Sequence, residues 1–226
     1  KLARTSSAQF DFNEVDYASR AVGDKTTNPD PSFIGQTIND VFIHRNRLGF
    51  LSGENVILSS VPASEFLFYR DSMVALTDAD PIDTAASDKG QASLNYAVPF
   101  NEALLLFSNK TQFQLSGEPN LTPTQAALDV TTRFESAPGA SPVGAGPNVY
   151  FPVPRGQHVG IREYFVEDYV LTNDSADITS HVANYIPAGI FQMEASSNED
   201  VILVLTEGAP NRIYVYKYFW QGDQKV

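Results

Sequence analysis

The chain has 226 residues, and its 27 acidic and 15 basic residues give a formal net charge of −12. Such a charge argues against a general nucleic-acid-binding protein, which needs a positive footprint to displace counterions, although plain solubility also explains it. The absence of cysteine excludes disulfides and thiolate metal sites, while 42% hydrophobic residues are enough for a packed core.

Residues 1–37 are predicted to be an extended polar segment or insertion, because they mix both charge signs and contain the breaker cluster Asn28–Pro31. Residues 38–226 are predicted to be a partial β-propeller-like domain. No apolar run reaches the roughly 18 residues of a membrane span. Because the sequence starts at Lys1 and stops at Val226 just after an aromatic strand, we expect part of a longer protein.

The stretch Ile38–Ser60 predicts a meander of three short strands. Its apolar pieces are of strand length and are separated by Arg45–Arg47 and Ser52–Asn55. Gly53 is predicted to adopt positive φ in a tight hairpin turn.

Further strands are predicted along the chain from alternation and short apolar runs. They cover Leu94–Phe100, Ala103–Phe107, the return strand through Phe113 and Leu115, and a hairpin of Val201–Leu205 with Ile213–Trp220. In the last arm Ile213, Val215 and Phe219 alternate with Tyr214, Tyr216, Tyr218 and Trp220, so both faces of this strand are predicted to be covered.

Helix is predicted to be scarce. The best candidate is Ala176–Ile186, where Ile178, Val182 and Tyr185 share a face and Pro187 ends the pattern, and a second short turn is predicted at Ala63–Tyr69. Hairpins open near Val41, Ala103, Val149 and Val201, which is close to the spacing of about 40–50 residues between propeller blades. The predicted fold class is therefore all-β, with propeller-like blades of short antiparallel strands and one or two short helices.

One acidic cluster could carry chemistry. Asp78, Asp80 and Asp83 are close enough in sequence to hold a divalent cation or to act as a glycosidase pair. The favoured interpretation is a turn opened at Asp80–Pro81, with the acids solvated or capping backbone amides.

Other candidate sites are weaker. His44, His158 and His181 have no metal-ligand spacing, and no nucleophile elbow is present. The stripe of Tyr214, Tyr216, Tyr218 and Trp220 could stack on sugars or bases, but sheet packing or a subunit contact is the favoured interpretation. The residues alone thus indicate an acidic structural or interaction domain.

Five stretches between Asp30 and Tyr218 resemble, in order, the tail nozzle proteins (tail tubular protein B family) of short-tailed, podovirus-type bacteriophages. They are DPSFIGQTINDVFIHRNRLGFLSGENVILSS, DADPID, YAVPFNEALLLFSNKTQFQLSG, VTTRF and DITSHVANYIPAGIF.

The resemblance implies a structural subunit of a hexameric tube that lies beneath an adaptor ring, near the tail fibres. It implies that the tube forms the DNA channel, retains the packaged genome and opens for ejection into the host. It also implies that residues 38–226 are part of a propeller-like platform in a virion protein that is made in the host cytoplasm. No catalytic residues, cofactor or metal site are carried over from the family, and the passing DNA is expected not to be bound sequence-specifically.

Two alternatives remain open from the sequence. A tail-associated glycan hydrolase or carbohydrate-binding module would use Asp78, Asp80 or Asp83 with Trp220 as a stacking platform. A propeller scaffold of non-viral origin is the other.

Overall fold

The computed structural model describes residues 2–12, 20–61, 66–88, 92–101, 103–117, 120–167, 172–221 and 224–225. Near the start, β1 (Leu2–Arg4) pairs antiparallel with β2 (Phe10–Phe12) in a small separate hairpin. The predicted division between residues 1–37 and 38–226 stays a prediction, although Phe33 packs edge-on against Phe50 at 5.1 Å between ring centroids.

Four antiparallel sheets follow one another along the chain, and each is a meander. The first is β3 (Asp40–His44), β4 (Arg47–Ser52), β5 (Asn55–Leu58) and β6 (Ile82–Ala85). The second is β7 (Leu94–Phe100), β8 (Ala103–Ser108), β9 (Gln112–Ser116) and β10 (Ala127–Thr132). The third is β11 (Val143–Ala145), β12 (Asn148–Arg155), β13 (His158–Val166) and β14 (Asn173–Asp177), with β15 (Ile186–Pro187) also paired to β13. The fourth is β16 (Ile190–Ser196), β17 (Val201–Thr206) and β18 (Tyr214–Lys217). A two-stranded hairpin, β19 (Trp220–Gln221) with β20 (Gln224–Lys225), comes last.

The four sheets are arranged like the blades of a propeller. Their first strands touch in succession, since β7 contacts both β3 and β11, and β11 contacts β16. Their fourth strands do the same, because β10 contacts both β6 and β14. The predicted fold class of propeller-like antiparallel blades is therefore confirmed.

Tight turns explain why each apolar run folds back on the run that precedes it in sequence. Arg45 and Asn46 both have positive φ, 45° and 61°, which matches the primed turns that suit twisted hairpins. Gly53 turns the next hairpin at φ 58°, as predicted. The predicted meander over Ile38–Ser60 is thus confirmed as β3, β4 and β5.

Each pair of neighbouring blades shares its own apolar core, because the strands alternate side chains between two faces. Buried residues between the first and second blades include Leu51, Leu58, Leu94, Leu104 and Phe113. Between the second and third they include Phe100, Phe107, Phe151 and Tyr164. Between the third and fourth they include Tyr150, Ile161, Met193, Ile202 and Tyr214.

The predicted helix at Ala176–Ile186 is wrong. Its first residues complete β14, where Asp177 pairs with Arg162, and Ile186 pairs with Val159 in β15. Only Ser180–Val182 turns helically, as a single 3-10 turn. The apolar spacing in this segment serves contacts with two different strands, and the pairing to β13 outweighs a weak local helical preference. The second predicted turn, at Ala63–Tyr69, lies partly outside the described residues.

Candidate functional site

The acidic loop is organised around a buried arginine. The guanidinium of Arg47 is 1% exposed and donates to the carbonyl oxygens of Ser59 at 2.6 Å, Asp78 at 2.6 Å and Asp80 at 2.7 Å. Burial lowers the pKa of Arg47, and the nearby charge of Asp80 opposes that shift. The side chain of Arg47 therefore fixes the loop 77–83 through hydrogen bonds to its backbone carbonyls.

Two carboxylates of this loop accept hydrogen bonds from backbone amides, and Asp78 is exposed. Asp80 is 4% exposed, and its Oδ2 accepts from the Thr77 amide at 2.7 Å. Asp83 Oδ2 accepts from the Ser32 amide at 2.8 Å. In the part of the chain that the structure describes, no group of three or more His, Cys, Asp or Glu side chains is placed to hold a metal ion. The geometry matches the turn-and-cap interpretation of Asp78, Asp80 and Asp83.

The three histidines lie on separate elements. His44 ends β3, His158 begins β13, and His181 lies in the 3-10 turn. Burial, with a smaller contribution from Arg45, lowers the pKa of His44, so its imidazole is neutral at pH 7.

The tyrosine stripe packs inward. Tyr214 and Tyr218 are 6% and 3% exposed, and Tyr218 stacks on Tyr150 at 6.3 Å and on Tyr216 at 5.8 Å. These rings are core packing rather than a platform for bases or sugars. The side chain of Trp220, the proposed stacking residue, lies outside the described residues.

The opposite face of the same strand is exposed, so the prediction that both faces are covered is wrong. Ile213, Val215 and Phe219 are 62%, 58% and 59% exposed, so within the described chain only the tyrosine face of β18 is covered. The strand alternates as the sequence predicts, but the apolar alternation does not specify which neighbour covers each face.

A buried polar network, not anticipated from the sequence, links β12 and β13 of the third blade beside the core that this blade shares with the fourth. Asn148 Nδ2 and the Tyr150 hydroxyl (2.7 Å) both donate to Glu163 Oε1, and Glu163 is 8% exposed. Burial, and then Glu163, raise the pKa of Tyr150 well above its ordinary value. The sequence could have predicted this contact. A two-residue turn at Gly156–Gln157 fixes the register of β12 and β13, and this register places Tyr150 directly opposite Glu163.

An apolar cleft of about 200 Å³ opens beside the fourth blade. One wall comes from the segment after β14, with Ile178, Val182 and Tyr185, and the other from β18, with Tyr214 and Tyr216. Tyr185 meets Tyr214 edge-on at 5.2 Å between ring centroids. The sequence did not reveal this cleft, because Ile178, Val182 and Tyr185 resembled the face of a helix.

These features are structural supports and surfaces of the blades. The comparison with known families decides the identity, because the chain matches the bacteriophage nozzle protein family over residues 1–226. The chain belongs to that family. The nozzle chain is also 45% identical, over 224 residues, to tail tubular protein gp12 of Escherichia phage T7.

That match covers 99% of the nozzle chain but 28% of the T7 protein, so the chain spans about 28% of its relative's length. Among solved structures, a quinonprotein alcohol dehydrogenase-like protein from Bacteroides thetaiotaomicron aligns with a TM-score of 0.41 at 14% identity, covering 78% of the nozzle chain and 50% of that protein. PorZ from Porphyromonas gingivalis aligns with a TM-score of 0.31 at 14% identity, covering 74% and 23%. No helix among the described residues has the length and apolar character needed to cross a membrane.

Proposed function

We propose that the nozzle chain is part of a structural subunit of a phage tail, which forms the DNA channel, retains the packaged genome and allows its ejection into the host. The observation that carries this proposal is the family match over residues 1–226, together with 45% identity to the T7 tail tubular protein. The protein is made in the host cytoplasm and works in the virion.

The proposed assembly is a hexameric ring of identical subunits that contacts the tail adaptor protein and the tail fibres. Closed rings of this kind need subunits that keep their shape, because every defect is repeated by the symmetry. The nozzle chain offers such rigidity. Its blades share three separate apolar cores and are also joined by hydrogen bonds, such as Ala97 N to Asp40 Oδ2 at 2.8 Å.

Charge supports a channel role as well. A wall that bound phosphates would exchange counterions at each contact and so slow the passing DNA. A net charge of −12 disfavours such contacts. In this proposal DNA passes without sequence-specific binding, and the subunit works through shape, symmetry and charge without catalytic residues or a cofactor.

The rival function, a glycan hydrolase or carbohydrate-binding module, has less support. Among its candidate acids, Asp78, Asp80 and Asp83, Asp80 is buried and accepts from the Thr77 amide, and Asp83 accepts from the Ser32 amide. The side chain of Trp220, its stacking platform, lies outside the described residues, and the neighbouring Tyr214 and Tyr218 are packed in the core between the third and fourth blades.

Complementation tests the proposal. Phage lacking the nozzle gene is supplied with the intact protein or with none, and tails are imaged by electron microscopy while DNase-protected DNA is measured. We expect particles without the protein to lack the tube, to be non-infectious and to eject no DNA into cells. Normal tails and normal infectivity in its absence would refute the structural role. Release of reducing sugars from host capsule by the purified protein would favour the rival.

A further inference from the structure

Among the described residues the fourth blade has three strands, whereas the first and second blades have four and the third has five. β6, β10 and β14 complete the first three blades, whereas β18 has a neighbouring strand on its β17 side only, within the chain as described. The strand nearest in sequence, β19, pairs instead with β20. An unpaired edge of this kind is a template for another strand.

The hydrogen-bonding groups of that edge can be identified. The Tyr218 amide donates to the Asp200 carbonyl at 3.0 Å, continuing the ladder between β17 and β18. Since bonding alternates along an antiparallel strand, the amides of Tyr214 and Tyr216 face β17, and those of Val215 and Lys217 face the free edge.

The apolar cleft lies next to this edge. Tyr214, Val215 and Tyr216 of β18 line it, and Val182 and Tyr185 stand at its opposite wall, 38% and 63% exposed. In the other blades, neighbouring fourth strands touch, as β10 touches both β6 and β14. The cleft beside the end of β14 is therefore where a fourth strand of the fourth blade would place its side chains.

We propose that the edge of β18 and this cleft together bind one extended β-strand, antiparallel to β18, which completes the fourth blade. Its backbone pairs with Val215 and Lys217, and alternate apolar side chains enter the cleft against Val182 and Tyr185. Backbone pairing supplies affinity, and the cleft selects apolar residues at every second position.

The strand comes from the same nozzle polypeptide, outside residues 1–226. Each of the three complete blades takes its fourth strand from its own chain. The T7 relative also has ample further polypeptide, because the chain spans 28% of its length. This inference goes beyond the DNA-channel proposal and holds or fails independently of it.

Hydrogen exchange with single-residue resolution tests it on the full-length nozzle protein at a concentration where it is monomeric. We expect the Val215 and Lys217 amides to exchange at least about 100-fold slower than unstructured peptides. The Tyr214 and Tyr216 amides are the internal control, since β17 protects them in every case. Unprotected Val215 and Lys217 amides would overturn the proposal. Protection that appears only in the assembled ring would assign the strand to a second copy of the protein. Protection that appears only after another phage protein is added would assign it to a different protein. Either result would overturn the proposal.

A pair of variants tests the cleft. Val182→Lys puts a charge on the cleft wall, whereas Ala183→Lys puts the same charge on the adjacent exposed residue. We expect Val182→Lys to speed exchange at Val215 and Lys217 by about tenfold or more, because burying an unpaired charge is costly, and Ala183→Lys to leave it unchanged. The Tyr216 amide must stay protected in both, which shows that the blade has folded. Equal exchange in the two variants would overturn the role of the cleft.

Discussion

The backbone amide of Leu94 donates to the carbonyl of Gly53 across 2.7 Å, so the turn between β4 and β5 is fastened to the first strand of the next blade. The neighbouring Glu54 reinforces this contact, because its Oε1 accepts from the Ala92 amide at 3.1 Å. The shape of one tight turn thus positions the junction between two blades.

Replacing Gly53 with valine should loosen that junction. Gly53 has φ 58°, and a Cβ added there meets nothing within 4 Å, so the substitution introduces backbone strain without a clash. We expect Gly53→Val to lower the free energy of unfolding by about 1–3 kcal/mol, measured by denaturant titration. Gly53→Asn is the control and should cost less, because asparagine tolerates positive φ better. Equal stability of Gly53→Val and the native protein would show that the turn adopts another conformation.

Removing the buried arginine should be more damaging. Arg47→Met takes away the donors for the carbonyls of Ser59, Asp78 and Asp80, and leaves these oxygens buried without them. We expect a loss of about 3–5 kcal/mol in the free energy of unfolding. Arg45→Met, at the exposed position two residues earlier, removes the 3.1 Å bond to the Gly117 carbonyl and should cost under about 1 kcal/mol, because contacts of exposed charged side chains contribute little. Comparable losses in the two variants would contradict the role given to Arg47.

Truncating Glu163 should remove an acceptor that two donors share. Glu163→Ala leaves Asn148 and the Tyr150 hydroxyl without their shared acceptor inside the core between the third and fourth blades. We expect a loss of about 2–4 kcal/mol, followed by thermal or chemical denaturation. Glu167→Ala, on an exposed residue of the same segment, should stay within about 0.5 kcal/mol of the native protein. A neutral Glu163→Ala would mean that water satisfies both donors.

Stability should fall at alkaline pH. Burial raises the pKa of Tyr164 to about 12, whereas a tyrosine in the unfolded chain ionises near about 10. The native state therefore holds this proton more tightly, and its contribution is complete below about pH 10 and lost as the pH rises from there to about 12. The denaturation midpoint measured from pH 8 to pH 12 should show this decline, and Tyr164→Phe should make it shallower. A Tyr164→Phe profile identical to the native one would refute the assignment.

The sequence predicted the parts of the fold that depend on local pattern. The meander of β3, β4 and β5 followed from run length and turn residues, and the positive φ of Gly53 followed from the need for a tight turn. The family, too, followed from motifs preserved in order. These features are local because hairpin partners are adjacent in sequence.

Features that depend on which segments pack against each other in three dimensions could not be predicted from the sequence. The apolar spacing of Ile178, Val182 and Tyr185 suited a helix, yet the chain there serves a strand and the wall of a cleft. Arg47 was interpreted as a break between strands, because a lone arginine carries no sign that backbone carbonyls will surround it. The exposure of Val215 depends on what lies beyond its sheet, which alternation alone does not encode.

The meander order of the blades also has a consequence for how the protein is made. Every strand of a blade pairs with a strand close to it in sequence, and each apolar core needs only the blade just synthesised and the one before it. Folding of the first three blades can therefore proceed on the ribosome from the amino-terminal side, one blade after another, without waiting for distant segments. Each newly made blade then covers the exposed face of the blade before it, which limits aggregation during synthesis.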